Sequence, residues 1–391
     1  MSKYRRQLTS TEKIYVATNR ISSPCATQLI LEGTGTLDRS KWLDAIARSS
    51  EANPGTRLIA RGALGCSYWA DSGMNPELLE ADASAWSGYG PEGAPFLQER
   101  LSCKGKTCQV VFLHGNSPRI LFRSHHAVMD GRGTFHWIEE IFRALRGEPL
   151  TGNRSRITES QLARSFQKEG RTPAPHRFPA VTGPAVGTEP GFRWGRVTFP
   201  GHVKNFMCKT AVLLAHETWK IYPRCPIRYA LPVDMRSRMP GLKSTGNLSN
   251  LIYLDITPKT TPESLQENLR VQLANKNDGK LFWQDGLIRF FPLAMIERSV
   301  KQEIRSKQAA GLYRNSGIIS NIGKLDTSGF EGGGFKATNI SFVPLGMESL
   351  PFFLGLWGTR ERVELIMSMS NRLANRQRLE QLLQTMASEI K

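Results

Sequence analysis

The sequence predicts an α/β protein built from two domains. The chain has 391 residues, and single hydrophobic cores stop growing at roughly 250–300 residues, so two cores are expected. Strand-like and helix-like segments alternate in both halves, as in layered α/β domains. A polar segment rich in proline and glycine, 151–191, separates the halves. We place the boundary near residue 180, which gives an N-terminal domain of residues 1–180 and a C-terminal domain of residues 181–391.

The first half opens with a strand, a helix and a strand, and continues with two strands and a helix. Trp42 and Ile46 lie on one face of the first helix, and Asn53-Pro54-Gly55 ends it. In the second helix Phe135, Ile138 and Phe142 repeat at helical spacing before a glycine ends it. The predicted elements are 26–33, 38–50, 56–63, 108–115, 118–126 and 134–147.

The second half predicts further strands and three helices. Thr261 and Pro262 form a typical helix start, with Thr as the cap and Pro in the first turn. A long, mostly apolar helix and a closing amphipathic helix are also expected. The predicted strands are 192–200, 225–238, 250–258, 317–323, 341–346 and 362–370, and the helices are 203–222, the one from Thr261, and 376–390.

The chain carries a formal net charge of +18. A field of that sign attracts polyanions, acidic proteins and phosphate-bearing ligands without selecting among them. The basic residues are scattered, which is typical of a solvated surface. The sequence has no helix-turn-helix signature, no zinc spacing and no aromatic-rich basic strand, so we do not expect nucleic-acid binding.

The cysteines and the apolar runs suggest a reducing compartment. The 6 cysteines form no C-x-x-C pair, so we expect free thiols, with a Cys103–Cys108 disulfide as the alternative. No apolar run approaches the roughly 20 residues that span a bilayer, and no secretory signal is visible. These patterns predict a cytoplasmic protein, which we expect to be a monomer.

The stretch Ser124–Gly131, SHHAVMDG, joins a predicted buried strand to a predicted helix. Four interpretations compete. In the first, the turn is purely structural and Asp130 caps the helix. In the second, the histidines bind a metal, although adjacent imidazoles on an extended backbone point in opposite directions. His125 and Asp130 also fit the H-x-x-x-x-D pattern of lipid acyltransferases. Finally, His125, His126, Asp130 and Gly131 fill every fixed position of H-H-x-x-x-D-G.

The last pattern resembles that of the chloramphenicol acetyltransferase-like superfamily, which includes condensation domains, plant-type BAHD acyltransferases and free-standing polyketide-associated acyltransferases. Three further segments follow in the order of the family: Pro232–Arg236 resembles P-V-x-x-R, Gly246–Asn250 resembles the G-x-x-x-N that follows it, and Ser320–Gly323 resembles SN-x-G. The D-F-G-W-G segment of the plant enzymes is absent, and the chain is shorter than a typical condensation domain. These departures leave the substrates open.

The resemblance implies two chloramphenicol-acetyltransferase-like subdomains, each a mixed β-sheet with flanking helices, forming a pseudo-dimer around a central tunnel. It also implies an acyltransferase or condensation enzyme that transfers an acyl group from a thioester to an amine or alcohol. His126 would be the general base in the tunnel, because a neutral imidazole accepts a proton at physiological pH. Relatives of this kind often work in natural-product (secondary-metabolite) biosynthesis.

The resemblance also implies roles for other residues. Asp130 points away from the reaction and pairs with Arg236, while His125 is structural. The N–H of Gly131 or the hydroxyl of Ser320 is expected to stabilise the oxyanion. We expect Asn250 and Asn321 to join strand ends or line the site. Asp234 and Arg238 are expected to be surface or hinge residues.

The implied donor is coenzyme A or the phosphopantetheine thioester of an acyl or peptidyl carrier protein, and the implied acceptor is a small molecule. Carrier proteins are acidic, so the positive charge slightly favours a carrier as partner. No metal and no tightly bound cofactor are implied. Two alternatives remain: a non-catalytic, carrier-docking member of the same fold, and a basic nucleic-acid-binding protein.

Overall fold

A computed structural model describes residues 4–22, 24–63 and 66–390. All helices that the sequence predicts are present in these ranges, and each predicted strand overlaps a strand of the structure, although the predicted strand 341–346 shares only its first three residues with the strand Phe335–Val343. The strands are β1 (Arg5–Gln7), β2 (Ala26–Gly35), β3 (Leu58–Arg61), β4 (Tyr68–Asp71), β5 (Glu77–Asp82), β6 (Cys108–His114), β7 (Arg119–His125), β8 (Gly170–Arg171), β9 (Phe178–Pro179), β10 (Phe192–Pro200), β11 (Ile227–Asp234), β12 (Ser249–Ile256), β13 (Leu281–Phe282), β14 (Leu312–Tyr313), β15 (Gly317–Lys324), β16 (Glu331–Gly332), β17 (Phe335–Val343), β18 (Phe353–Gly358) and β19 (Arg362–Ser370). The helices are α1 (Ser10–Ile21), α2 (Arg39–Ala52), α3 (Gly131–Leu145), α4 (Glu159–Phe166), α5 (Phe206–Ile221), α6 (Pro262–Ala274), α7 (Asp285–Ile288), α8 (Leu293–Ala310), α9 (Asn371–Ala374) and α10 (Arg378–Glu389).

Two six-stranded mixed sheets form the centre of the molecule. The first sheet has the order β16-β17-β2-β7-β6-β5, and the second has the order β10-β19-β18-β15-β11-β12. In the first sheet β5 and β6 are parallel, and in the second sheet β15 is parallel to both β11 and β18. The remaining neighbours are antiparallel. The predicted α/β class, with two mixed sheets and flanking helices, is confirmed.

One strand of the first sheet comes from the far end of the chain. β17 pairs antiparallel with β2 over nearly its whole length, so that Phe342 lies opposite Leu29. The hydrophobic core on this sheet therefore contains Phe335 and Ile340 from the second half beside residues of the first half. The boundary near residue 180 stays a prediction, but the C-terminal half supplies a central strand to the first sheet.

Each sheet buries one face against helices. Trp42 of α2 is completely buried, and its ring meets Phe112 of β6 and Phe142 of α3 edge to face, with centroids 5.6 and 5.3 Å apart. Such aromatic pairs add about 0.5–1.5 kcal/mol each beyond the burial of their area. This packing fixes α3 on the sheet, and it therefore fixes the loop that precedes α3.

The polar segment 151–191 contains more regular structure than its composition suggests. Helix α4 lies within it, and β8 and β9 pair with β13 and β14 of the second half. A capping box begins α4: the Thr158 hydroxyl accepts from the Gln161 N–H, and the Gln161 side chain accepts from the Thr158 N–H. This T-x-x-Q signal is readable from the sequence and predicts a helix start.

The six cysteines lie in the described residues and are free thiols. Within the described residues, we find no helix with the length and apolar character that crossing a membrane requires.

Candidate active site

A cavity of about 860 Å³ lies between the two sheets. Strands β2 and β17 of the first sheet and β11, β12, β15 and β18 of the second contribute to its wall. The predicted site residues His126, Gly131, Asn250, Ser320 and Asn321 all line it. The fold therefore brings residues that are far apart in the chain to one cavity, which is the usual form of a small-molecule site.

The double-histidine loop is held at its base by backbone hydrogen bonds. The N–H of His125 donates to the Thr107 carbonyl at 2.8 Å, and the N–H of His126 donates to the Cys25 carbonyl at 2.9 Å. The Asn247 side-chain amide donates to the His126 carbonyl at 3.0 Å. The main chain at both histidines is thus fixed by three separate segments.

The His126 ring is held in one orientation and one tautomer. It stacks on Tyr15 of α1, with ring centroids 4.3 Å apart and planes 17° apart. Its Nδ1 lies 3.2 Å from the Met129 carbonyl oxygen, which can only accept, so Nδ1 carries the proton and Nε2 keeps a lone pair. Burial lowers the pKa of His126, although the charge of Asp130 and the Met129 carbonyl oppose this. The ring is therefore neutral at pH 7 and able to accept a proton.

His125 lies outside the cavity wall. Its side chain is completely buried, and its Nδ1 accepts a hydrogen bond from the Ala127 N–H at 3.1 Å. Burial, with a smaller contribution from His126, lowers the pKa of His125 to about 3, so the ring stays uncharged. This geometry suits a structural residue of the loop.

Asp130 joins the loop to the second half of the chain. Its Oδ1 accepts from the Gly133 N–H at 2.8 Å and caps α3, and Arg236 donates to Oδ1 at 3.0 Å and to Oδ2 at 3.1 Å. Leu248 N–H and the Ser249 hydroxyl complete the shell of Oδ2, at 2.8 and 2.9 Å. Burial would raise the pKa of Asp130, but Arg236 and these donors hold it below its ordinary value.

Arg236 is held by more than Asp130. Its guanidinium also donates to the Asp234 carboxylate at 2.7 Å, to the Ser244 carbonyl at 3.1 Å and to the Gly246 carbonyl at 2.5 Å. Asp234 is therefore part of the ion-pair network and not a free surface charge. The partners of the guanidinium come from three segments: Asp130, Asp234, and the stretch 244–246 that precedes β12. Arg236 therefore fastens this stretch to the double-histidine loop.

The expectation that Arg238 is a surface or hinge residue is wrong. Its guanidinium makes two hydrogen bonds to the completely buried Asp278, at 2.7 and 2.9 Å, and one to the Leu273 carbonyl at 2.8 Å. The local sequence cannot reveal this pair, because Asp278 lies in a short polar turn with no periodic pattern.

Two glycines near the start of α3 have opposite surroundings. A Cβ on Gly131 would meet no atom within 4 Å, whereas a Cβ on Gly133 would lie 2.2 Å from the Thr245 carbonyl oxygen. Gly131 thus keeps space open in the cavity wall, while Gly133 lets α3 approach the segment that carries the Arg236 acceptors. Gly133 is not among the residues predicted from the sequence, although it is visible there as the second glycine of D-G-x-G.

The remaining predicted residues combine cavity lining with strand contacts. The Asn250 amide donates to the Asp278 and Lys280 carbonyls at 2.7 and 3.2 Å, and its oxygen accepts from Arg171 at 2.7 Å. Asn321 lies at an irregularity in β15, where its side chain accepts from the Gly323 N–H at 3.2 Å.

Sequence reasoning missed the part of the wall that α1 and α4 supply. Tyr15, Glu159 and Arg164 line the cavity, and Tyr15 sets the plane of the His126 ring. The capping-box signals Thr9-x-x-Glu12 and Thr158-x-x-Gln161 mark the starts of both helices, but they do not reveal that the helices meet the cavity. Across the ranges that the structure describes, no three His, Cys, Asp or Glu side chains are grouped as a metal site requires.

The sequence matches no protein-family model and no curated protein. The structure is similar to polyketide synthase associated protein 5 from Mycobacterium tuberculosis, with 15% identity, TM-score 0.63 and 99% of both chains covered. It is also similar to the first condensation domain of the calcium-dependent antibiotic synthetase, with 14% identity, TM-score 0.64, and 99% of this chain and 97% of that chain covered.

A third similar structure is F. graminearum TRI101 complexed with ethyl coenzyme A, with 15% identity, TM-score 0.60 and 96% of both chains covered. These similarities extend over nearly the whole chain. Residues of all four motif segments line the same cavity. The chain therefore has the chloramphenicol acetyltransferase-like fold that its double-histidine motif predicts.

Proposed function

We propose that the protein transfers an acyl group from a thioester to an amine or alcohol, with His126 as the general base. The observation that carries the proposal is the position of this imidazole on the cavity wall, with Nδ1 3.2 Å from the Met129 carbonyl oxygen. This contact and the burial that lowers the pKa of the ring favour a neutral imidazole whose Nε2 can accept a proton. The fold it shares with condensation domains supports the reaction class.

In the proposed reaction, the acceptor N–H or O–H gives its proton to Nε2 of His126 as its heteroatom attacks the thioester carbonyl carbon. The carbonyl oxygen becomes an oxyanion, for which the Gly131 N–H or the Ser320 hydroxyl is the proposed donor. Collapse of this intermediate breaks the C–S bond, and the leaving thiolate takes the proton back from the imidazolium. Positioned proton transfer of this kind accelerates reactions by roughly 10²–10⁴-fold.

Asp130 and Arg236 act as positioning residues in this proposal. Their paired hydrogen bonds, 3.0 and 3.1 Å long, connect the residue that caps α3 with the second half of the chain. Because Asp130 follows His126 by one turn, movement of this pair would move the imidazole relative to both substrates. Enclosure of the substrates between the sheets contributes proximity.

We propose a donor that carries phosphopantetheine, either coenzyme A or an acyl or peptidyl carrier protein. One similar structure is complexed with ethyl coenzyme A and another is a polyketide synthase associated protein. The net charge of +18 favours both phosphate groups and acidic carrier proteins. The proposed acceptor is a small molecule, and the proposed setting is natural-product assembly. The broad spread of positive charge favours a carrier protein over free coenzyme A as the donor.

The test is release of free thiol from a panel of acyl thioesters, on coenzyme A and on carrier proteins, in the presence of amine and alcohol acceptors. His126→Ala should lower the rate by roughly 10²–10⁴-fold, and loss of the stack on Tyr15 should lower the stability by only about 0.5–1.5 kcal/mol. His114→Ala is the matched control, because the His114 side chain is exposed and forms its hydrogen bond with Glu80, away from the cavity wall. Equal turnover by wild type and His126→Ala would overturn the assignment, and a wild type without turnover that binds carrier proteins or nucleic acid would favour a non-catalytic role.

A further inference from the structure

A segment beside the cavity exposes five large apolar side chains. From Trp283 to Met295 the exposed fractions are 63% for Trp283, 51% for Leu287, 51% for Phe290, 44% for Phe291 and 55% for Met295. Elsewhere in the described chain the exposed large hydrophobics stand singly. Exposed apolar side chains that cluster in this way mark an interaction surface. We call residues 283–295 the apolar segment.

The apolar segment is anchored through its backbone, and its five large apolar side chains stay exposed. Ser10 of α1 donates to the Asp285 carbonyl, and the Lys13 ammonium donates to the carbonyls of Arg289 and Phe291. Helix α8 then continues the segment and packs along α1. The exposure is thus a feature of a fixed surface.

The exposed charges along the apolar segment and α8 have one sign. The exposed charged side chains between Trp283 and Ala310 are all basic: Arg289, Arg298, Lys301 and Arg305. The acidic side chains of α8 are engaged, Glu297 by Arg20 at 2.7 Å and Glu303 by Lys307 at 2.9 Å. Arg298, Lys301 and Arg305 follow Met295 at helical spacing, so one face of α8 passes from apolar to basic.

The apolar segment also borders the cavity. Phe282, Asp285, Gly286 and Arg289 line the cavity wall, while Trp283 and Leu287 between them, and Phe290 after them, are exposed. One side of this short stretch therefore faces the proposed reaction site, and the other side faces whatever surface the protein docks on.

We infer that the apolar segment docks the protein on an anionic lipid surface. Trp, Phe and Leu side chains on one side with Arg and Lys beside them are typical of segments that lie in the membrane interface without spanning it. The apolar side chains would enter the headgroup region, and the basic face of α8 would contact anionic headgroups. Membrane docking does not depend on the proposed acyl transfer and goes beyond it. Only the further step, passage of a lipid acyl chain or acceptor into the neighbouring cavity, rests on that function.

The test is co-sedimentation of the full chain with vesicles, one set of pure phosphatidylcholine and one set of phosphatidylcholine with phosphatidylglycerol. We expect binding to the anionic vesicles. Trp283→Ser with Phe290→Ser should weaken it roughly tenfold through lost apolar insertion, and Arg298→Glu with Arg305→Glu should weaken it roughly tenfold or more. All four side chains are exposed, so the folded state is retained, which circular dichroism checks.

Matched controls separate this surface from general charge attraction. Leu43→Ser with Met74→Ser removes two exposed apolar side chains elsewhere on the molecule, which are 44% and 45% exposed. Lys204→Glu with Lys259→Glu reverses two exposed charges outside the apolar segment. Both control variants should bind vesicles as wild type does. The inference is overturned if wild type fails to bind anionic vesicles, if the controls lose as much binding as the segment variants, or if the segment variants lose only the binding of an acidic carrier protein.

Discussion

Removal of the Asp130 carboxylate tests how the double-histidine loop is held. Asp130→Ala deletes two hydrogen bonds from Arg236 and one each from the Gly133 N–H, the Leu248 N–H and the Ser249 hydroxyl. These contacts connect α3 in the first half with β12 in the second half. The variant therefore weakens a junction between the halves as well as a helix cap.

The magnitude follows from what each partner loses. The Arg236 side chain is 11% exposed and Asp130 is 4% exposed, and breaking one side of a buried pair costs about 3–5 kcal/mol. Loss of the cap on α3 adds about 1 kcal/mol, while Asp234 stays bound to Arg236 and offsets part of the charge. We expect the free energy of unfolding to fall by about 3–5 kcal/mol.

The assay is denaturant-induced unfolding of Asp130→Ala, Arg236→Ala and the double variant. Because the two residues contact each other directly, the double variant should be more stable than the sum of the single losses predicts, by about 2–3 kcal/mol. Asp255→Ala is the control, since it removes an exposed two-bond pair with Arg228 that is worth at most about 1 kcal/mol. Additive losses, or a loss from Asp130→Ala no larger than the control loss, would refute the reasoning.

Three further predictions concern the same loop. Since burial lowers the pKa of His126 below 6.5 and the neutral ring is the base, kcat/KM should rise with pH to a plateau; a midpoint above 6.5 in the pH–rate profile would contradict this. The folded-state pKa of His125 is about 3 against 6.5 for a free ring, so the unfolded chain takes up its proton first. The free energy of unfolding should be highest above pH 6.5 and should fall below that pH by up to about 1.4 kcal/mol per pH unit. If the free energy of unfolding of His125→Asn falls with the same slope as that of wild type, this prediction is contradicted. Gly133→Ala should destabilise the protein by about 1–3 kcal/mol, because its methyl meets the Thr245 carbonyl. Gly131→Ala should keep the melting temperature and lower only turnover, and equal melting temperatures for the two alanine variants would exclude this difference.

The sequence predicted those parts of the site that depend on local pattern or on the motif. The strand before His125, the helix after Asp130 and the cap at Thr261 follow from periodicity and from residues that satisfy free N–H groups at helix starts. The contact between Asp130 and Arg236 came from the resemblance, and the structure has both of its hydrogen bonds. Composition alone gives no reason to join these two residues.

Tertiary structure decided which distant segments meet. It brought Tyr15 onto the His126 ring, paired Arg238 with Asp278, and inserted β17 of the second half beside β2 of the first. The alternation of apolar and polar residues predicts that one face of a strand is buried, but it does not predict which segment packs against that face. Likewise, a capping box starts α4 without placing it on the cavity wall.

The amino-acid sequence by itself determined the α/β class, most of the longer elements and the loop that carries His126, because hydrophobic period, helix caps and turn residues act over a few positions. Only the folded chain decided the cavity, the contacts that orient the His126 ring and the exposure of the apolar segment. Those features depend on contacts between residues that are far apart in the chain, where packing and hydrogen-bond satisfaction select among many compatible arrangements.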